Sequence, residues 1–297
     1  MKRILALLIL LLMLPWGALG ETVVTSFYPI WLLALNLTDG LDGVTVRNLA
    51  APDTGCLHDY QLQTGDMKVL ASADVFLING AGMEAFLDHI REAFPDLPVI
   101  SAADGIPLLY GLDALEIGEA ETEEEEANAH IWLSAANAAR MAENLAAGLM
   151  EHLPSHAERI QQNLESLRSR LLSLDGLLRD GLRDLSRKDI VTFHEAFPYF
   201  AHAYGLRVAA VVNREPGETL SPAQMAHLAD VLMELNCPPL FVEPQYEDLS
   251  ARTLAAETGC SVYMLDPVVT GPGDNVPLDY YETVMLENLR VLQEALR

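Results

Sequence analysis

Short apolar runs separated by longer amphipathic ones alternate along this chain. Thr22-Val-Val-Thr-Ser26, residues 44–49, Val75-Phe-Leu-Ile78 and residues 98–101 are each too short for a globular helix and are bounded by turn formers, so they read as strands. Helical spacing fills the gaps at 29–39, 65–73 and 83–94, with Pro29 near a first turn, where its missing N–H is no loss. The pattern restarts at Ile190-Val-Thr-Phe193 and runs through 208–212, 240–242 and 262–265, with helices predicted over 195–204, 221–235, 246–258 and 279–296. Strands alternating with helices imply a mainly parallel sheet covered on both faces. The chain does this twice, so the predicted fold class is α/β with two βα lobes.

Between the two blocks the period changes. Ile160, Leu164, Leu167, Leu171, Leu174, Leu178, Leu182 and Leu185 step by four and three along one helical face. Ser155 and Glu158 fit a capping box at its start. Unbroken, such a helix has about 30 residues and a length of roughly 45 Å, more than one lobe needs. With Gly176 and Gly181 inside it and αβ units on both sides, it reads as a spine joining the lobes rather than as a coiled coil. The predicted organisation is therefore an N-terminal lobe at 21–153, a spine at 154–187 and a C-terminal lobe at 188–297.

The first twenty residues stand apart. Lys2 and Arg3 precede an apolar run from Ile4 to Leu14, and Ala18-Leu19-Gly20 offers small residues for cleavage, the pattern of an export signal. The run is short for a bilayer crossing, and Glu21 rather than a cysteine follows the small residues. Loss of the leader removes two positive charges and no acid, taking the formal net charge from −25 to −27. That charge argues against nucleic acid and anionic membranes as partners and suits a protein that handles cations. Of three cysteines, Cys237 and Cys260 flank a strand-plus-helix unit and could be bridged, with Cys56 as the odd one, but spacing alone does not fix the connectivity. A long loop at 103–129 carries Glu116, Glu119, Glu121, Glu123, Glu124, Glu125 and Glu126. A glutamate run of this kind reads first as a solvated segment and second as a weak collector of cations.

Candidate chemistry sits at the carboxyl ends of the predicted strands, where open parallel sheets bind ligands. His58 lies in a loop after a strand, His130 just before the Ser134 helix cap, and His194 and Asp266 at strand ends. Each alone has an ordinary explanation, since most histidines are packed or solvated and Asp before Pro commonly starts a turn. Two lobes facing each other bring all four into one cleft. Three imidazoles and a carboxylate make the borderline-soft tetrahedral shell that zinc prefers. His89, His152, His156, His202 and His227 fall in or beside helices and read as structural.

Several motifs in this order resemble a known family: Thr25-Ser-Phe-Tyr-Pro-Ile30, His58-Asp-Tyr60, Leu70-Ala-Ser-Ala-Asp-Val75, Asn79-Gly-Ala-Gly-Met-Glu84, His130-Ile-Trp-Leu133, His194-Glu-Ala-Phe-Pro-Tyr-Phe200, Glu243-Pro-Gln-Tyr246 and Leu265-Asp-Pro267. Together they resemble the metal-specific solute-binding proteins of bacterial ABC uptake transporters, in particular the zinc-binding branch, over essentially the whole chain after the leader. The resemblance implies an exported, monomeric, non-enzymatic protein that captures Zn²⁺ between its lobes and delivers it to a cognate membrane permease. It implies His58 and His130 as ligands from one lobe, and His194 with Asp266 as the variable fourth ligand from the other. A manganese- or iron-binding member is the nearest alternative, but the manganese branch typically offers Glu where His194 stands. The loop before the second ligand is glutamate-rich here rather than histidine-rich, and Cys56 ahead of His58 adds a thiolate as a candidate donor. A zinc hydrolase is the alternative from another class, and the chain has no His-Glu-x-x-His helix to support it.

Overall fold

The computed structural model of the chain describes residues 20–58, 60–110, 115–116, 127–212, 221–245 and 249–297. Residues 1–19 of the leader expected at 1–20, Asp59, Tyr246 and the glutamates at 119, 121 and 123–126 lie outside them. Strands β1 (Glu21–Thr25), β2 (Val44–Asn48), β3 (Val75–Ile78) and β4 (Val99–Ser101) pair in parallel in the order β2-β1-β3-β4. Strands β5 (Leu115–Glu116), β6 (Asp189–Thr192), β7 (Arg207–Val211), β8 (Leu240–Val242) and β9 (Val262–Met264) form a second parallel sheet in the order β5-β7-β6-β8-β9. These are the two α/β lobes that the alternation predicts. In one respect the chain departs from the prediction. Within the expected 103–129 loop, β5 leaves the first sheet and pairs with β7 of the second, Leu115 opposite Ala210.

The helices are α1 (Tyr28–Leu37), α2 (Thr64–Leu70), α3 (Leu87–Ala93), α4 (Ala135–His152), α5 (Ala157–Arg183), α6 (Pro198–Tyr204), α7 (Pro222–Glu234), α8 (Leu249–Thr258) and α9 (Tyr280–Ala295). The long helix is α5, and it buries Ile160, Leu164, Leu167, Leu171, Leu174, Leu178 and Leu182, the stripe read from the sequence. Leu185 falls beyond its end. The expected capping box is not there. Pro154 opens a short 3₁₀ turn at Pro154–His156 that takes Ser155 into it, so His156 occupies the cap position with no side-chain bond. Gly181 has a packing reason: a Cβ there would come within 2.8 Å of Leu289 Cδ1, and its carbonyl accepts from Gln293 Nε2 at 3.1 Å. The missing side chain lets α9 lie close against α5.

The two cores are not one per lobe. The larger runs from the first sheet (Val24, Phe76) through α4 and α5 (Leu145, Leu171) into one face of the second sheet and its helices (Ile190, Val211, Phe200, Met285). The smaller lies on the other face of that sheet, from Val191, Val212 and Leu240 to Leu228 and Leu254. Ile190 and Val191, neighbours in β6, thus face different cores, as strand alternation requires. Arg170 of α5 adds a polar tie, reaching Asn36 of α1 and Glu282 of α9.

Cys237 and Cys260, which the sequence leaves open to a bridge, are thiols in the structure. They are neighbours all the same: burial and the Cys237 side chain push the Cys260 thiol up to about 11. Among the described residues no helix is long and apolar enough to cross a membrane.

Candidate metal centre

Parallel pairing sets the site. Thr192 of β6 stands opposite Phe241 of β8, so His194 and Glu243, each two residues further on, emerge level with one another. His194 Nδ1 lies 3.1 Å from Glu243 Oε1. Both are buried, His194 7 % and Glu243 2 % exposed. A carboxylate only accepts, so Nδ1 carries the proton and Nε2 is the lone-pair nitrogen. Glu243 also accepts from Gln245 Nε2.

His130 comes from the segment leading into α4, and it is fully buried. Asn128 Oδ1 accepts from its backbone N–H at 3.0 Å and faces its Nδ1 at 3.2 Å, while Asn128 Nδ2 donates to Glu195 O at 2.8 Å. The Asn128 amide orientation is therefore fixed, His130 Nδ1 is the protonated nitrogen, and Nε2 points into the cleft. Trp132 closes one side, its ring centre 5.2 Å from that of His130, and it is pinned by Nε1 donating to Pro267 O at 2.7 Å. Burial, with His194 and His58 close by, holds His130 well below the usual histidine range, so it is neutral.

His58 sits on the loop after β2, exposed at its tip. That loop turns at Gly55, whose φ of +85° is left-handed and whose absent Cβ faces Gln245 of the other lobe. The ring centres of His58, His130 and His194 are 5.3, 6.2 and 4.9 Å apart. Two imidazoles on one tetrahedral zinc place their ring centres about 5 Å apart, so His130 stands at coordination scale from both other rings, while His58 and His194 are wider apart. Among the described residues, one group of ligating atoms falls within 4.8 Å of one another: Cys56, His130 and His194. Cys56 Sγ is 3.4 Å from His130 Nε2.

Asp266 lies two residues past β9, beside this cluster but outside that group. Its Oδ1 accepts from Val268 N–H at 2.7 Å, and its own N–H donates to Asn288 Oδ1 at 2.9 Å. Val268 is a buried β-branched residue at φ +61°, a costly conformation that the Asp266 contact helps to hold. Burial pushes the Asp266 carboxyl up to about 6, with Glu243 adding repulsion against the Val268 hydrogen bond. Sequence reasoning placed His58, His130, His194 and Asp266 at one end of the two sheets and flagged Cys56. It missed the orienting roles of Glu243 and Asn128. The signal for Glu243 was its position directly after the apolar run 240–242, matching that of His194 after β6.

A sequence model of the family described as zinc-uptake complex component A, periplasmic (ZnuA), matches residues 23–295. The iron-binding protein YfeA of Yersinia pestis is 30 % identical over 271 residues, 91 % of this chain and 83 % of that protein. The zinc-binding lipoprotein AdcA of Streptococcus pneumoniae is 27 % identical over 285 residues, 92 % of this chain, and this chain spans only 55 % of AdcA. Among solved structures, a crystal structure of ZnuA superposes with a TM-score of 0.78 at 25 % identity, covering 94 % of this chain and 100 % of its own.

Proposed function

The chain belongs to the ZnuA family, the periplasmic component A of zinc-uptake complexes, and on that premise we propose that it captures Zn²⁺ in the interlobe cleft and hands it to a cognate ABC permease. The observation that carries this reading is the meeting of His58, His130 and His194, which are 136 positions apart from first to last, at ring-centre separations of 4.9 to 6.2 Å. Neutral imidazoles are borderline donors that suit zinc. Two of them are aimed in advance, His130 by Asn128 and His194 by Glu243, the outer-shell pattern that fixes tautomer and raises ligand basicity. His130, His194 and His58 are the proposed ligands. Asp266 and Glu243 supply the negative charge that a dication in a half-dry cleft requires, with Asp266 the candidate for the variable fourth ligand. The division into lobes at 21–153 and 188–297 about a spine at 154–187 belongs to the same reading. So does the absence of a catalytic step: zinc here is cargo, and the chain works as a monomer outside the cytoplasmic membrane.

Manganese or iron is the competing cargo, because YfeA is named for iron and the carboxylates of buried Glu243 and half-buried Asp266 are hard donors. The test is metal analysis of the full chain purified without added metal, followed by competition among Zn²⁺, Mn²⁺ and Fe²⁺. Zinc retained and preferred, with strong losses in His130→Ala and His194→Ala, is the expected result. A preference for Mn²⁺ or Fe²⁺, or wild-type zinc affinity in both variants, overturns it.

A further inference from the structure

Building on that reading, we infer that Cys56 is a metal ligand: its thiolate, not the Asp266 carboxylate, completes the shell and sets this chain's preference for zinc over harder divalent ions. The first ground is geometric. With Zn–S near 2.3 Å and Zn–N near 2.05 Å, a tetrahedral centre separates a sulfur and a nitrogen ligand by about 3.5 Å. Cys56 Sγ and His130 Nε2 are 3.4 Å apart, already the edge of such a tetrahedron. The second is convergence. Cys56 is not isolated, because its sulfur gathers with ligating nitrogens of His130 and His194 within 4.8 Å, and those two histidines are buried and held by their other ring nitrogens.

The third ground is the competing claim on Asp266. One carboxylate oxygen is committed to the Val268 N–H in a turn that places Val268 at φ +61°. Only the other oxygen is then open to a metal, and Asp266 falls outside the group of ligating atoms that gathers Cys56 with His130 and His194. Cys56 already faces the cluster through its contact with His130 Nε2. It is half-buried on the loop that also carries the exposed His58, and Gly55 next to it gives the turn its left-handed residue. In the metal-free protein the 3.4 Å separation also suits an S–H···N hydrogen bond. On binding, the S–H bond breaks, an S–Zn bond forms, and the proton leaves to solvent with no change in oxidation state. A thiolate beside three imidazoles is a soft set that favours zinc, whereas a carboxylate in its place favours manganese.

The experiment uses the full chain loaded with Co²⁺ as a spectroscopic substitute for zinc, and with Cd²⁺ for cadmium NMR on the unaltered protein. The expected result is a sulfur-to-cobalt charge-transfer band in the near ultraviolet, together with the strong visible bands of tetrahedral cobalt. In Cys56→Ser the ultraviolet band disappears while the visible bands persist. The cadmium resonance of the unaltered protein falls in the range of one-sulfur sites. Zinc affinity in Cys56→Ser drops by at least the 10–100-fold that loss of an outer-shell partner costs, and Cys56→Asp moves the Zn²⁺/Mn²⁺ ratio toward manganese. Tetrahedral cobalt without the ultraviolet band, or a cadmium shift typical of nitrogen and oxygen donors alone, overturns the thiolate assignment and leaves the proposed metal capture standing. Failure of Co²⁺, Cd²⁺ and Zn²⁺ to bind at all overturns both.

Discussion

Glu243 makes no proposed bond to metal, yet its removal should be felt at the metal. Glu243→Gln is close to isosteric and deletes one buried charge. The new amide keeps an oxygen for the His194 Nδ1–H that Glu243 accepts at 3.1 Å. Its NH₂ then faces Gln245, whose Oε1 has no hydrogen-bond partner among the described residues and can take that N–H once the Gln245 amide turns over. The turned amide leaves its NH₂ where the partnerless Oε1 was, so one unsatisfied group is exchanged for another. What is lost is the carboxylate that makes the imidazole more basic and stabilises its bond to a cation. Outer-shell partners of this kind are worth about 10–100-fold in metal affinity. Since the hydrogen bond survives, Glu243→Gln belongs at the low end, about tenfold or about 1.4 kcal/mol. Glu243→Ala, which also frees the ring to rotate, belongs near the high end, about 100-fold. Chelator competition for zinc at fixed pH, with circular dichroism as the control for folding, reads both. If both variants bind within about twofold of wild type, His194 is not oriented by Glu243 in any way that matters to zinc, or His194 is not a ligand.

Three other outcomes follow from separate parts of the structure. Leu171→Ala, at a fully buried position of α5, should cost about 2–5 kcal/mol of stability in urea unfolding, and the two sheets should melt together because one core serves both. Asp266→Asn should make the metal-free protein more stable than wild type above pH 6 and lose that advantage as pH falls toward 4. The sign follows from a folded carboxyl raised to about 6, whose penalty is full above that value and vanishes below the unfolded value near 3.8. His130, held low by burial, acts the other way: metal-free stability should fall as pH drops through the unfolded histidine value of 6.5, and His130→Gln should flatten that slope in a pH series of unfolding curves.

Much of this architecture is legible in sequence because single-segment patterns decide it. Val75-Phe-Leu-Ile78 is buried at every position, as an interior parallel strand must be, and the stripe from Ile160 to Leu182 is the buried face of α5. Features that depend on two segments at once are not legible. The capping box at Ser155 fails because Pro154, one residue earlier, favours a 3₁₀ turn. Residues 115–116 look like loop because the strand they pair with lies some 95 positions later. His130 and His194 can be found from their places after turns and strand ends. The Glu243 contact to His194 cannot, since it follows from β6 and β8 being neighbours, and the order β7-β6-β8-β9 is written in no local pattern. Gly181 illustrates the same limit: within α5 alone it is a weak helix former, and only the approach of Leu289 explains it.

How the ligands are mounted suggests how the ion comes and goes. His130 and His194 are buried and each tied through its second nitrogen, His130 between Ala129 and Ile131 of the larger core and His194 next to Phe193 of the smaller one. Swinging one sheet away from the other would expose the α5 face from Ile160 to Leu182 and break the Arg170 ties to Asn36 and Glu282. That is a large area to uncover for one ion. Cys56, half-buried, and His58, exposed, sit instead on the loop that turns at Gly55. A displacement of that loop removes their donors at once and opens the cleft to water, at the cost of lifting one core side chain, the fully buried Leu57 between them. The metal-free cleft also keeps Asp266 and Glu243 close together in a poorly solvated place, a repulsion that a dication relieves. On the proposed reading, binding therefore draws on a cost already present in the fold, and release to a permease would require the loop to be held open by something outside this chain.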